Sequence, residues 1–231
     1  DKAGVYYATR ETVERVERMK VTTCLNPLHT CLAVFGCLLN FETIWQEMND
    51  EDLKALVNRI GYVEGMPVVT DPGIMSPRTF LGEVLTVRLP NCFLPDTPQR
   101  IATDTSQKLS IRFGETIKAY LEKGMDVSNL KGIALVEAGW LRYLMGVDDN
   151  GSEMAISPDP RLDEMKSRLA GVSFGHNENA EKALTPILED ESIFGVSLVK
   201  AGLADSVIEH FKRMNAAPGA VRAEIHSVAI A

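Results

Sequence analysis

Three polar residues near the start of the chain, Lys20, Asn26 and His29, carry side chains that can move a proton and bind an oxygen atom. Oxidising a secondary alcohol by hydride transfer requires a base for the hydroxyl proton and donors that stabilise the developing alkoxide. A partly buried lysine with a lowered pKa can serve as the base, and an asparagine amide and an imidazole can serve as the donors. The three residues are therefore candidates for alcohol oxidation or, in reverse, ketone reduction.

Each of these residues also has a purely structural interpretation. Asn26 precedes Pro27, which places it well to cap the start of a helix. His29 lies one turn into an apolar helix, where a histidine is commonly a core residue hydrogen-bonded to the backbone. Lys20 taken alone is typical of a lysine on the surface. The catalytic hypothesis therefore requires all three side chains to converge on one point.

The spacing of the three residues, K-x5-N-x2-H, makes that convergence depend on the shape of the helix. In an unbroken α-helix, at roughly 100° per residue, Lys20 and His29 would point about 180° apart. Pro27 cannot donate a hydrogen bond to the carbonyl group of Thr23, and it pushes Asn26 away from the α region. We predict an irregularity between Thr22 and Asn26 that absorbs one residue and turns Lys20 toward the other two side chains.

A second charged group lies in the stretch DTPQRIATDTSQK. Arg100, Asp104 and Lys108 are spaced by four residues, so we expect them to share one face of a helix that begins at an Asp96 cap. A ladder of solvated ion pairs is one explanation, worth a few tenths of a kcal/mol per pair. The other explanation is a cationic anchor for a substrate.

The elements around these residues are predicted to be helices, because apolar residues recur at spacings of three and four. Strand patterns are scarce, and residues 63–75 form the most irregular stretch, with two glycines and two prolines. The predicted helices cover 11–25 and 27–39, begin again near residues 49, 76, 96 and 128, and are shorter after a turn at 148–151. We expect an all-α protein with one domain over residues 1–231 and a possible soft boundary near residue 150.

Composition narrows the classes of function. The chain has 231 residues, is 45% hydrophobic and has a formal net charge of -8 with no basic run, which disfavours nucleic acid as a partner. The longest apolar run, residues 31–39, is too short to cross a bilayer, and the first residues lack the pattern of a secretory signal. We expect a cytoplasmic protein with no membrane association.

The cysteines lie mostly inside apolar stretches, which is typical of buried thiols in a reducing compartment. Cys24 and Cys31 flank His29, but the CxxC and HxxxH pairings that form a tetrahedral zinc site are absent. We therefore expect no metal site.

No G-x-G-x-x-G pattern follows an apolar strand, and no P-loop pattern occurs in the sequence. The chain also begins without methionine and enters a helix almost at once. We expect a fragment or excised domain whose nucleotide-binding half lies elsewhere.

The stretch MKVTTCLNPLHT resembles the signature of the polyol-specific long-chain dehydrogenases, the family of mannitol dehydrogenase and fructuronate reductase. That signature is K-x4-N-x2-H, so this chain keeps the spacing of Asn26 and His29 and places Lys20 one residue further away. The family also has an R-x7-K helix, which Arg100 and Lys108 match. The resemblance covers most of residues 5–150 and is weaker beyond.

The resemblance implies a multi-helical C-terminal domain of the kind also found in 6-phosphogluconate dehydrogenases, docked on an N-terminal Rossmann domain that binds NAD or NADP. Lys20 would be the general acid/base, Asn26 a donor to the alkoxide or carbonyl oxygen, and His29 a donor to a substrate hydroxyl. Arg100 and Lys108 would anchor the distal part of the substrate. The family implies no metal, and negligible turnover by this chain alone.

The substrate is left open between a hexuronate and a hexitol, since a guanidinium group can bind either a carboxylate or hydroxyl groups. Two other classes of protein compete with this hypothesis. A non-enzymatic helical binding or interaction module predicts that the five site residues scatter over the surface. A zinc-dependent alcohol dehydrogenase predicts bound metal and loss of activity with a chelator.

Overall fold

The computed structural model describes residues 7–230, and the regular elements in that range are helical. Two isolated antiparallel bridges, Val147 to Glu153 and Ser173 to His176, are the extended pairings among these residues. The prediction of an all-α fold is confirmed. The α-helices in chain order are α1 (Arg10–Met19), α2 (Asn26–Leu38), α3 (Ile44–Glu47), α4 (Glu51–Asn58), α5 (Pro77–Glu83), α6 (Pro98–Ala102), α7 (Glu115–Glu122), α8 (Lys131–Tyr143), α9 (Leu162–Arg168), α10 (Ala180–Leu188), α11 (Glu191–Phe194), α12 (Ala204–Met214) and α13 (Ala220–Ala229).

Several of these helices are joined or extended by π-helical turns, at Lys20–Cys24, Arg59–Gly65, Val84–Arg88 and Ser110–Gly114. Short 3₁₀ turns cover Met66–Val68, Thr105–Gln107 and Val127–Asn129. A π-turn accommodates an extra residue inside a helix and is frequent at functional sites. Three of these four π-turns contain a lysine or arginine residue that belongs to the description of the candidate site below.

The core is built around α2 and α8. Eleven of the thirteen residues of α2 and twelve of the thirteen residues of α8 are buried, because each helix is apolar on nearly every side. Helix α8 packs against α12, α2 and α13, and α13 also packs against α4. Burial on all sides explains the long apolar run that includes residues 31–39.

Helices α1 and α2 and the π-turn between them form one rod, Arg10–Leu38, of 29 residues. By length and composition this rod qualifies as a candidate membrane span, with a mean hydropathy of 1.4 over its most apolar window. However, 83% of that window is buried inside the fold, as expected for the central helix of a helical core.

Helix starts follow the predicted capping residues in some places and not in others. Ser76 Oγ accepts a hydrogen bond from the Thr79 N–H at 3.3 Å, as predicted for the cap of α5. The cap of α6 is Thr97 rather than Asp96, since Thr97 Oγ1 accepts from the Arg100 N–H at 3.3 Å. The residue before α2 is Leu25, so the prediction that Asn26 caps this helix is wrong.

The predicted helix over residues 96–108 is also wrong, because α6 ends at Ala102. Asp104 has a left-handed φ of 54°, and its N–H donates to the carbonyl oxygen of Pro158 at 2.9 Å. A contact with a segment far along the chain thus replaces the next helical turn. Arg100, Asp104 and Lys108 do not share one helix face.

Hydrogen bonds connect the segments before and after residue 150, where we expect a soft boundary. The Asp149 N–H donates to the Leu38 carbonyl oxygen at 2.9 Å. The Asp149 carboxylate accepts from the N–H groups of Val221 at 2.7 Å and Arg222 at 3.2 Å, which places a negative charge at the start of α13. The two halves of the chain are therefore hydrogen-bonded to each other, and the division into domains stays a prediction.

Glu137, on α8, is fully buried, and its carboxyl oxygens have no hydrogen-bond partner among the described residues. Burial raises the pKa of this carboxyl well above its usual value. The folded state then holds a proton that the unfolded chain releases above about pH 4.3. The contribution of Glu137 to stability is therefore lost as the pH rises toward the folded-state pKa.

We predict that Glu137→Gln raises the free energy of unfolding relative to the parent chain, and that this gain grows between pH 4 and pH 8. Urea denaturation at several pH values checks this result. Glu122→Gln, at an exposed position of α7, is the matched control and should show no such growth. An identical difference at pH 4 and pH 8 for Glu137→Gln would contradict the prediction.

Candidate functional site

Lys20 is the first residue of the π-turn Lys20–Cys24, and its carbonyl oxygen accepts from the Leu25 N–H at 3.0 Å, five residues on. The predicted irregularity is thus present, and it begins two residues earlier than Thr22. Such a turn absorbs one residue without changing the facing of the helices on either side. The longer K-x5-N spacing is therefore compatible with the facing that a K-x4-N spacing has in a regular helix.

Local contacts explain where the π-turn forms. Pro27 has no N–H to continue the α-helical pattern, and Thr22 Oγ1 donates to the carbonyl oxygen of Arg18 at 2.8 Å. A Cβ atom on Gly65 would lie 2.8 Å from Thr23 Cγ2, so a glycine there lets the π-turn Arg59–Gly65 pack closely against this one.

The Lys20 side chain is half-buried, and its Nζ lies 5.5 Å from the centroid of the Phe80 ring. It lines a surface pocket of about 340 Å³, together with Val16, Glu17 and Met75. Within residues 7–230, no carboxylate forms an ion pair with this ammonium group. The Lys20 ammonium is thus held over an aromatic face, and it is not paired with a structural carboxylate.

Asn26 is the first residue of α2 and is half-buried. Its carbonyl oxygen accepts from Thr30 Oγ1 at 3.1 Å. In the part of the chain that the structure describes, its side-chain amide makes no hydrogen bond. The amide is consequently not used to cap the helix.

His29, one turn further along α2, has a side chain that is only 13% exposed. Its Nε2 lies 3.7 Å from Oδ2 of Asp96. Burial lowers the pKa of His29 to about 4; Asp96 opposes this shift, and Arg88, Arg112 and Arg100 add to it. His29 is therefore a neutral imidazole above about pH 5, able to donate one hydrogen bond and accept another. Among the described residues its ring makes no hydrogen bond to the backbone, so the interpretation as a core histidine bonded to backbone is not supported, and the carboxylate of Asp96 lies nearby.

Asp96 lies beside two of the candidate residues, because its carboxylate approaches His29 and forms an ion pair with Arg100. The sequence suggested Asp96 only as a helix cap. Its backbone is fixed by a hydrogen bond from the Ile44 N–H to the Asp96 carbonyl oxygen, at 3.0 Å. Close packing of α6 on α2 brings this segment to His29, and Gly36 permits that approach: a Cβ atom there would lie 2.6 Å from Cγ of Pro98.

The ammonium group of Lys108 already makes hydrogen bonds within the fold. Its Nζ donates to the carbonyl oxygens of Ile101, at 3.1 Å, and of Thr103, which closes the loop after α6. Burial lowers the pKa of Lys108, Arg112 adds to this effect, and Asp104 and Asp159 oppose it. An ammonium group has three donors, so one N–H remains for a further partner.

Arg112 lies in the π-turn Ser110–Gly114, and no motif in the sequence marked it. Its Nη1 donates to Oγ1 of Thr30, the residue that follows His29, and burial lowers the pKa of its guanidinium to about 10. Gly114 ends the turn and comes so close to α11 that a Cβ atom would lie 2.0 Å from the Phe194 carbonyl oxygen. The turn that carries Arg112 is therefore fixed by packing.

The structure thus brings His29 and Arg100 to Asp96, and Arg112 to Thr30 beside His29. Lys108 lies against the end of α6. Lys20 lies nearer the N-terminus of the rod Arg10–Leu38, and Asn26 lies between Lys20 and His29 along the chain. Within residues 7–230, no hydrogen bond or ion pair links Lys20 to Asn26 or His29.

Exposed apolar side chains lie on the segments that carry the charged group. Phe93 is 90% exposed and Val87 is 65% exposed, and Leu94 and Ile111 are also exposed. They neighbour Arg88, Asp96 and Arg112 in the chain. Large exposed apolar side chains that form a contiguous patch are typical of a surface that another protein element covers.

No group of three histidine, cysteine, aspartate or glutamate side chains within residues 7–230 is arranged to hold a metal ion. Cys24 and Cys31 are both buried, and burial raises the pKa of both thiols, that of Cys24 to about 12. Their thiols are neutral at physiological pH and do not join His29 in a cluster.

Residues 12–215 match the family described as the mannitol dehydrogenase C-terminal domain. This chain belongs to that family. The match extends well past residue 150, where the sequence resemblance was weaker, so the family assignment covers the second half of the chain as well as the first.

Curated relatives fall in the same group of oxidoreductases. D-mannonate oxidoreductase of Thermotoga maritima is 56% identical over 226 residues, which are 97% of this chain and 42% of the relative. D-mannonate oxidoreductase of Escherichia coli is 28% identical over 83% of this chain and 38% of its own length. The polyol:NADP oxidoreductase of Gluconobacter oxydans is 28% identical over 74% of this chain and 33% of its own. The chain therefore spans about two fifths or less of the length of these relatives.

Solved structures show the same fold. Mannitol 2-dehydrogenase of Pseudomonas fluorescens, in a ternary complex with NAD and D-mannitol, superposes with a TM-score of 0.76 at 24% identity, over 99% of this chain and 42% of that one. A D-sorbitol dehydrogenase in substrate-free form gives a TM-score of 0.75, also at 24% identity, over 92% of this chain and 41% of that one.

Proposed function

We propose that this chain is the catalytic and substrate-binding domain of a metal-independent, NAD(P)-dependent oxidoreductase. The reaction interconverts an aldonate with its ketouronate, of the mannonate and fructuronate type, or a hexitol with its ketose. The π-turn Lys20–Cys24 carries the proposal, because it absorbs the one residue by which this chain departs from the family spacing. The identity to D-mannonate oxidoreductase of Thermotoga maritima favours the aldonate pair.

Lys20 takes the hydroxyl proton when the alcohol is oxidised and returns it when the ketone is reduced. The Asn26 amide is free of the helix cap and donates to the alkoxide or carbonyl oxygen. His29 is neutral at the working pH and donates to a neighbouring substrate hydroxyl. Arg100, and the remaining N–H of the Lys108 ammonium, hold the distal part of the substrate.

The sequence has no Gly-rich fingerprint for a dinucleotide. We place the main cofactor site on an N-terminal Rossmann domain in the remaining length of the protein, which would cover the exposed patch around Phe93. The nicotinamide, once bound there, gives or takes the hydride. The protein is expected in the cytoplasm, with no role for nucleic acid or membrane.

The alternative, a non-enzymatic helical binding module, predicts that the five sequence-derived residues scatter. The position of Asp96, which approaches His29 and pairs with Arg100, argues against such scattering for these two residues. The zinc-dependent alternative requires a metal cluster that residues 7–230 do not form.

A substrate panel tests the proposal. The full-length protein that contains this chain is assayed for reduction of fructuronate, tagaturonate and fructose with NADH and with NADPH. We expect fructuronate to be reduced best, with no loss of rate after treatment with EDTA, and negligible turnover by residues 1–231 alone. Binding of these sugars without any turnover would support the binding module, and loss of rate with EDTA would support the zinc enzyme.

A further inference from the structure

We propose that Arg112 is the residue that selects a carboxylate-bearing substrate, by pairing with the carboxylate of an aldonate or ketouronate held against His29. This inference rests on the proposed function and adds to it a specificity-determining residue that neither the sequence motif nor the family match assigns. It also names the class of substrate, an acidic sugar in preference to a neutral one.

The balance of charge around His29 is positive. Three guanidinium groups, of Arg88, Arg100 and Arg112, act on this imidazole, against the single carboxylate of Asp96. The local balance is three positive charges to one negative, on a chain whose formal net charge is -8. A cationic site on an anionic chain attracts a negatively charged ligand and gives little benefit to a neutral hexitol.

Arg112 differs from the other cations in its burial and its partners. Arg100 is 59% exposed and already paired with Asp96, and Lys108 donates to two backbone carbonyls. Arg88 is exposed on its π-turn. Arg112 is half-buried, and among the described residues no carboxylate pairs with it; its partner is the neutral hydroxyl of Thr30.

The contacts of Arg112 fix the position of its guanidinium group. The hydrogen bond to Thr30 uses Nη1 and leaves the Nε and Nη2 donors of Arg112, which lie on one edge of the guanidinium and suit a bidentate carboxylate. Thr30 is fully buried and follows His29 on α2, and Gly114 fixes the other end of the Arg112 turn. The guanidinium is thus held in place before the substrate arrives, which reduces the entropic cost of binding.

The test compares two substrates that differ at one end of the molecule, fructuronate with a carboxylate and fructose with a hydroxymethyl group. The kcat/KM for each is measured with the full-length enzyme and its Arg112→Gln, Arg112→Lys and Arg88→Gln variants. Loss of a charge-assisted pair is expected to lower kcat/KM for fructuronate about 50-fold through KM, with a change below about 3-fold for fructose. Arg112→Lys should recover part of the preference. Arg88→Gln, with the same change of charge at an exposed position, should lower kcat/KM for fructuronate by only about 5-fold, because it removes long-range attraction and no direct pair.

Four results would overturn the inference. Equal losses for both substrates in Arg112→Gln would mean a structural role, and equal losses in Arg88→Gln and Arg112→Gln would mean a diffuse field. A parent enzyme that reduces fructose but not fructuronate would refute the inference and leave a polyol oxidoreductase standing. A parent enzyme that reduces neither sugar would refute the proposed function itself, and the inference with it.

Discussion

Replacing Lys20 with methionine is expected to lower kcat of the full-length enzyme by about 10³-fold, within the range found when a general acid/base is removed. Methionine keeps the length of the side chain and its contact with Phe80 and the pocket wall, so the fold should survive. The KM for the sugar should change far less than kcat, because Lys20 acts on the proton in transit. Steady-state kinetics with fructuronate, together with the thermal midpoint of unfolding, measure both effects.

The matched control for this variant is Lys54→Met, at an exposed position of α4, which should leave kcat within about twofold of the parent. The pH dependence of kcat provides a second readout. The limb that reports ionisation of the acid/base group should disappear in Lys20→Met and remain in the control. Retention of more than a tenth of the parent kcat by Lys20→Met would remove Lys20 from the catalytic set.

Replacing Glu64 with alanine is expected to destabilise the fold by about 3–5 kcal/mol, the usual effect of removing one partner of a buried ion pair. The Glu64 carboxylate is fully buried and accepts from Arg59 Nε at 3.0 Å. It also accepts from the N–H groups of Gly132 at 2.7 Å and Ile133 at 2.9 Å, at the start of α8. Alanine would leave a largely buried guanidinium group and two helix N–H groups without an acceptor.

Chemical denaturation of the Glu64 variants gives the size of this loss. Glu64→Gln keeps one acceptor oxygen and should lose less than Glu64→Ala. Glu122→Ala, at an exposed position, should stay within about 0.5 kcal/mol of the parent. A loss below about 1 kcal/mol in Glu64→Ala would show that the start of α8 does not depend on this carboxylate.

The sequence was informative where the physical cause is local. The missing N–H of Pro27 and the extra residue between Lys20 and Asn26 together predicted a helix irregularity, and the π-turn at Lys20–Cys24 is that irregularity. The apolar residues of 27–39 likewise predicted helix α2. That helix is buried because a helix that is apolar on nearly every side lies in the core.

Where the cause is a contact between distant segments, the sequence was not sufficient. The predicted helix over residues 96–108 fails because Asp104 is drawn out of helical geometry by its bond to Pro158. Arg112 was missed because its partner, Thr30, lies 82 residues away along the chain, and a spacing pattern carries no trace of such a pair. Asp96 was assigned as a cap, since its meeting with His29 depends on how α6 packs against α2.

The π-turns account for much of what the sequence pattern leaves out. Lys20, Arg88 and Arg112 each lie in a different one, at Lys20–Cys24, Val84–Arg88 and Ser110–Gly114. A π-turn adds one residue within a helix, so a helical wheel drawn for a regular helix misplaces residues of this kind. The position of an arginine such as Arg112 therefore depends on the backbone as well as on the sequence pattern.

We propose that Lys20, Asn26 and His29 meet at the reacting end of one substrate. A crystal structure of the full-length protein with NAD(P) and D-mannonate tests it most directly, through the distance from Lys20 Nζ to the hydroxyl oxygen that is oxidised. We predict a distance of about 3 Å, with the Asn26 amide and His29 on the same substrate and its carboxylate near Arg112. A substrate bound elsewhere, with the Lys20 ammonium directed into solvent, would contradict the account.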